Sequence, residues 1–118
     1  MPHVHLLSNG RYGLLLTEAG GGFASYVRRR GSSSEPTAIT RWRADTTLDR
    51  HGMWIYVQDR ESGALWSATE QPVGVRAGGE QVLFYPHKVA FRLRHGDVSL
   101  LTEITVAPEE DVEIRRLT

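Results

Sequence analysis

The sequence predicts an all-β fold, an antiparallel β-sandwich. Three observations carry that prediction. Apolar and polar residues alternate with period two through most of the chain, turn signals rich in Gly and Asn separate the alternating runs, and no window carries the apolar stripe of an amphipathic helix. Strands of this kind turn one face to a core and the other to water, and they bury the apolar face by packing sheet on sheet.

The elements follow in order. Leu6-Leu7 lead into Asn9-Gly10, two residues that both tolerate positive φ, so a hairpin is expected there. The next strand puts Tyr12, Leu14 and Leu16 on one face, and Gly20-Gly21-Gly22 marks a reversal. The basic run Arg28-Arg29-Arg30, followed by Gly31-Ser32-Ser33-Ser34, reads as a solvated loop. One short helical turn is expected between Ala44 and Arg50. Met53, Ile55 and Val57 then oppose Trp54 and Tyr56, which reads as a strand buried on both faces. Asp59 to Trp66 reads as a strand, a tight turn at Glu61-Ser62-Gly63 and a returning strand. Beyond Ala77-Gly78-Gly79, Val89, Phe91 and Leu93 alternate with Lys88, Arg92 and Arg94. His95-Gly96-Asp97 turns the chain into its longest strand, with Val98, Leu100, Thr102, Ile104 and Val106 on one face. Glu109-Glu110-Asp111 after Pro108 is a charged turn, and Val112 and Ile114 open the last strand.

Composition bounds the function. The chain has 118 residues, with 40% hydrophobic and 24% charged residues, which is ordinary for one globular domain. Its 14 basic and 14 acidic residues cancel, which argues against nucleic acid as a partner, since phosphate neutralisation needs a basic excess. There is no cysteine, so disulfides, thiolate metal sites and a Cys nucleophile are excluded. Met1 to Leu7 lacks the basic and apolar regions of a signal peptide, and no apolar run has spanning length. This segment is therefore expected to be soluble, cytoplasmic and without membrane contact. The alternation runs to Thr118 without a polar tail. That pattern suggests one β-sandwich domain over residues 1–118, a fragment of a larger sandwich, whose open edge would pair with a second copy as a homo-oligomer.

Candidate chemistry is sparse. His3 and His5 share a strand face but have no third ligand nearby, so no metal site is expected. No nucleophile elbow or phosphate loop is present. The densest cluster is Arg41-Trp42-Arg43-Ala44-Asp45, where guanidinium forks and a carboxylate could hydrogen-bond sugar hydroxyls while the indole stacks on a pyranose. Trp54, Trp66 and Gln71 extend this candidate carbohydrate surface. The alternative for each is structural: Trp42, Trp54 and Trp66 in the core, and the arginines paired with Asp45 or Asp49 on a strand edge.

Several segments together resemble the N-terminal β-sandwich of the glycoside phosphorylases once called glycosyltransferase family 36, now glycoside hydrolase family 94. That family includes cellobiose and chitobiose phosphorylases and a region of cyclic β-1,2-glucan synthases. The pieces are Pro2-His3-Val4-His5-Leu6-Leu7-Ser8-Asn9-Gly10-Arg11-Tyr12, Thr17 to Phe23, Thr40-Arg41-Trp42-Arg43-Ala44-Asp45-Thr46-Thr47, Trp54 to Asp59, Ser62 to Ser67 and Gln71-Pro72, in co-linear order. The chain departs from the family pattern in the long basic loop Val27 to Thr37 and at Arg50-His51-Gly52-Met53. The resemblance implies part of a large, galactose-mutarotase-like supersandwich that precedes a catalytic (α/α) barrel. Inverting phosphorolysis needs an acid that the barrel carries, so this chain alone is not expected to be an enzyme. No cofactor is expected, inorganic phosphate serving only the full-length phosphorylase type. The implied role is carbohydrate binding to a β-glucan or oligosaccharide, or else structural packing and dimerisation against the barrel. Attachment of the parent protein to the inner membrane is left open.

Overall fold

The computed structural model describes residues 3–40, 50–74 and 80–118. Among these residues there is no helix, and ten strands form three antiparallel sheets. β1 (Val4–Ser8), β2 (Tyr12–Thr17), β3 (Gly22–Arg30) and β4 (Ser33–Ala38) make the first sheet in that order. β5 (Tyr56–Gln58) and β6 (Leu65–Ser67) form a small hairpin. β7 (Gln81–Phe84), β8 (Val89–His95), β9 (Val98–Val106) and β10 (Glu113–Leu117) make the other four-stranded sheet, ordered β10-β9-β8-β7. The expected all-β sandwich is present. No helix here is long and apolar enough to cross a membrane.

The core lies where the two larger sheets face each other. Leu7, Tyr12, Leu14, Leu16 and Ala24 meet Val89, Phe91 and Ile104, and Val82, Phe84 and Val106 pack around them. These are the alternating residues of β2, β8 and β9 that the sequence marks as one-faced. At the start of β3, Gly22 has a φ of +143°, and a Cβ there would lie 1.8 Å from the Leu15 carbonyl oxygen. Only glycine allows β2 and β3 to approach so closely after the turn. The Gly22 amide donates to the His51 carbonyl oxygen at 2.8 Å, tying this corner to the segment before β5.

Four expectations need correction. The first hairpin is centred one residue later than Asn9-Gly10, because Ser8 pairs with Gly13 and the Asn9 amide bonds the Tyr12 carbonyl. Gly10 takes the positive φ, while Asn9 closes the turn with its side chain, accepting from the Arg11 and Tyr12 amides at 2.9 and 2.8 Å. The stretch from Val27 to Thr37 is not a loop: Arg28, Arg29 and Arg30 pair with Glu35, Ser34 and Ser33 as a regular ribbon. The strand expected from Met53 begins only at Tyr56 and is not buried on both faces, since Met53 and Tyr56 are 51% and 54% exposed. The last strand begins at Glu113 rather than Val112, and its inward residues are Glu113 and Arg115, while Val112 and Ile114 are exposed. The helical turn expected within Ala44 to Arg50 falls almost wholly outside the described residues.

Candidate functional site

Of the side chains that the sequence marks for sugar contact, Arg41, Trp42, Arg43 and Asp45 lie outside the described residues. The residue before them, Thr40, is held to β3 by its hydroxyl, which accepts from the Ala24 amide at 2.8 Å. Trp66 sits in β6 at 4% exposure, its indole stacked on the His95 imidazole at 4.4 Å and 7°. The Trp66 ring is thus buried, with one face covered by the imidazole. Trp54 is half-buried and donates its indole N–H to the Arg50 carbonyl at 3.1 Å. Gln71 is half-buried in the turn after β6, where its amide bonds the Ala19 carbonyl and its own carbonyl accepts from the Thr69 hydroxyl. Trp54, Trp66 and Gln71 therefore do not form an exposed aromatic shelf.

The fold instead makes a hollow of about 210 Å³ beside the start of β7. Its floor is apolar, from Ala68, Val82, Phe91 and Leu93, and its rim carries Glu18, Thr69, Glu70, Glu80, Gln81 and Arg92. An apolar floor under a rim of carboxylates, a carboxamide and a guanidinium matches the two sides of a pyranose ring. These residues come from four separated stretches of chain, so no linear motif announces them. Among the described residues, no group of three or more His, Asp or Glu could hold a metal ion.

The motif Ser8-Asn9-Gly10-Arg11-Tyr12 also has a structural meaning that the sequence did not reveal. Asn9 Nδ2 points across the sandwich to the Ala107 and Glu110 carbonyls, at 3.1 and 3.0 Å, and to Asp111 Oδ1 at 3.2 Å. Arg11 donates to Asp111 Oδ1 at 2.9 Å and to the Glu109 carbonyl at 3.0 Å. Tyr12 donates its hydroxyl to Glu113 Oε2 at 2.6 Å, and Arg115 holds the other carboxylate oxygen at 2.6 Å while reaching the Met53 carbonyl. The two sheets are thus clamped turn to turn. Burial, and then the Glu113 carboxylate, push the Tyr12 phenol well above its ordinary range. The acidic turn Glu109-Glu110-Asp111 is the other half of this clamp.

Comparison with known proteins agrees with the all-β sandwich fold. A family model described as "Glycosyl hydrolase 94, supersandwich domain" matches residues 1–118. The chain is 40% identical over 114 residues to the cyclic beta-(1,2)-glucan synthase NdvB of Rhizobium meliloti (strain 1021), a match covering 95% of this chain and 4% of that protein. It is 27% identical over 95 residues to an N,N'-diacetylchitobiose phosphorylase of Vibrio proteolyticus, covering 80% of this chain and 10% of that one. A second N,N'-diacetylchitobiose phosphorylase, from Vibrio furnissii, is 32% identical over 72 residues, covering 61% and 8%. The chain therefore spans a tenth or less of the length of these relatives.

Proposed function

The chain belongs to the glycosyl hydrolase 94 supersandwich family, and on that footing we propose that it is a non-catalytic packing module of a glycoside phosphorylase or cyclic β-1,2-glucan synthase. The observation that carries this reading is the outer face of the first sheet. Leu6, Leu15 and Phe23 stand in register across β1, β2 and β3, and Val4 and Leu6 are 55% and 61% exposed. Two exposed apolar side chains on the edge strand, beside the half-buried Leu15 and Phe23, are what a sheet presents to another protein surface rather than to water. In this reading the partner is the (α/α) barrel that the resemblance implies for the parent protein, which would also carry the catalytic acid.

The test is to produce the barrel region separately and measure its association with this chain. Leu6→Asp should leave the fold intact, because the side chain is exposed, and should abolish association. Association that is unchanged by Leu6→Asp would sink the proposal. The chain alone, given phosphate and N,N'-diacetylchitobiose, should show no phosphorolysis. The exposed Val4 and Leu6 and the edge position of β1 predict self-association of the isolated chain, and a monodisperse monomer in light scattering would count against that.

A second reading, contact with a β-glucan or oligosaccharide, is favoured by the hollow at β7. Its volume of about 210 Å³ lies below the roughly 300 to 1,000 Å³ of sites for larger ligands, so it would take one sugar ring, weakly. Titration of β-1,2-gluco-oligosaccharides into the chain, followed by tryptophan fluorescence and by nuclear magnetic resonance, tests it. No response at millimolar sugar would remove this reading.

A further inference from the structure

The β3–β4 ribbon is not used by either reading. Inside the sandwich the inner face of β3 carries Gly22 and Ala24, both buried; further along it carries Arg28 and Arg30, both exposed. All six residues of β4 are exposed. The ribbon thus continues past the core with a polar inner face. A second strand is poorly placed to pair along its edge, since Pro36 lacks an N–H and Glu35 adds charge there. What the ribbon offers is its face.

Arg28 and Arg30 lie on one side of β3, about 6.7 Å apart at the usual rise of a strand. With Ser33, Glu35 and Thr37 of the facing strand they line a hollow of about 220 Å³. Arg11, Arg115 and Arg116 are committed to Asp111, Glu113 and Glu103. Arg28, Arg29 and Arg30 make no ion pair among the described residues, even though Arg28 stands opposite Glu35 in register. The Ser33 hydroxyl donates to the Arg30 carbonyl at 2.9 Å, which pins the turn, and Thr37 also lines the hollow.

We infer that this hollow is an oxyanion site, in which the neighbouring Arg28 and Arg30 guanidiniums hold a phosphate-class dianion. Two planar forks lining one small polar hollow suit tetrahedral oxyanions, which accept several charge-assisted hydrogen bonds at once. The Glu35 carboxylate opposes the anion and keeps affinity modest. Arg29 faces the other side of the ribbon and carries the same charge, so it serves as an internal control.

The experiment titrates inorganic phosphate into the whole chain at low ionic strength, following backbone amide resonances. Saturable shifts in β3 and β4 are expected at millimolar phosphate, weakening as salt is raised. Arg28→Gln and Arg30→Gln should each weaken binding about tenfold, the loss of one charge-assisted contact. Arg29→Gln should leave it within about twofold, and Glu35→Gln should tighten it. All four positions are exposed, and unchanged circular dichroism verifies that the variants fold. Equal losses at Arg28, Arg29 and Arg30 would mean diffuse charge and overturn the site. So would the absence of saturable phosphate binding, or binding confined to phosphatidylglycerol vesicles.

Discussion

Replacing Asn9 with Asp tests the clamp between the sheets more sharply than replacing it with Ala. Asn9→Ala removes two acceptor bonds within the hairpin and the Nδ2 contacts to Ala107, Glu110 and Asp111. A carboxamide has two N–H groups, so at most four full hydrogen bonds are at stake, each worth about 0.5 to 1.5 kcal/mol. Because the site is half-exposed and water replaces part of them, the expected loss is about 2 kcal/mol. Asn9→Asp keeps the acceptor oxygen, and so keeps the turn, but it aims a carboxylate at two carbonyls and at Asp111. At about 4 Å, two like charges repel by about 1 kcal/mol in water and about 4 kcal/mol at a protein surface. The substitution that preserves more hydrogen bonds should therefore be the worse one, with a total loss of about 3 kcal/mol against about 2 kcal/mol for Asn9→Ala. Urea denaturation followed by circular dichroism measures both variants. A cycle with Asp111→Asn should recover at least about 1 kcal/mol of coupling. If Asn9→Asp matches the unsubstituted chain, or the cycle shows no coupling, the cross-sheet half of the clamp carries no stability and the reasoning fails.

Other substitutions probe separate features. Gly22→Ala drives a Cβ into the Leu15 carbonyl and should leave insoluble or unfolded protein. Gly96→Ala, also at positive φ but in open space, should cost only about 1 kcal/mol in the same assay. The raised Tyr12 phenol contributes stability in full below its unfolded value near pH 10, and that contribution is lost as pH climbs above it. A late phenolate step in the ultraviolet titration is therefore expected, and Tyr12→Phe should remove it. Glu103, bonded first by Lys88 and then by Arg116, has its carboxyl held below the ordinary range. Its contribution is present above the unfolded value near pH 4.3 and is lost as pH falls through the lowered one. Glu103→Gln should therefore flatten the acid limb of stability against pH, measured as urea midpoints from pH 6 to pH 2.

The fold was legible where alternation and exposure agree. In β8, Val89, Phe91 and Leu93 face the core while Arg92 and Arg94 face water, so period two alone places the strand. In β10 the same rule points the wrong way, because Tyr12 brings a buried hydroxyl that needs an acceptor, and Glu113 with Arg115 meets that need better than Val112 or Ile114. A basic run beside Gly31-Ser32 looks like a loop by composition. Its strand character comes from cross-strand pairing with residues 33–35, which composition does not record. The candidate site was less legible. Trp66 looked like a platform because nothing in its neighbourhood of sequence names His95, 29 positions later, as the ring that covers it. The hollow at β7 draws on four stretches of chain and has no local signature. Conversely, Ser8-Asn9-Gly10-Arg11-Tyr12 was recognised as family wording, and its chemistry emerged only when the turn at Glu109 to Asp111 was seen against it.

That clamp also sets a timetable. Asn9 and Asp111 are 102 positions apart, and Tyr12 and Glu113 are 101 apart. Closing a loop of that length costs about 4 kcal/mol in chain entropy, and contacts so distant place the protein among slow folders. A ribosome adding about 5 to 20 residues per second leaves the β1–β2 hairpin waiting roughly 5 to 20 seconds for its counterpart. Throughout that interval Leu14 and Leu16 have no opposite sheet, and Val4 and Leu6 are bare on the other side. The nascent N-terminal sheet is thus a natural client for chaperones, and variants that weaken the clamp should be recovered in lower soluble yield as well as with lower equilibrium stability.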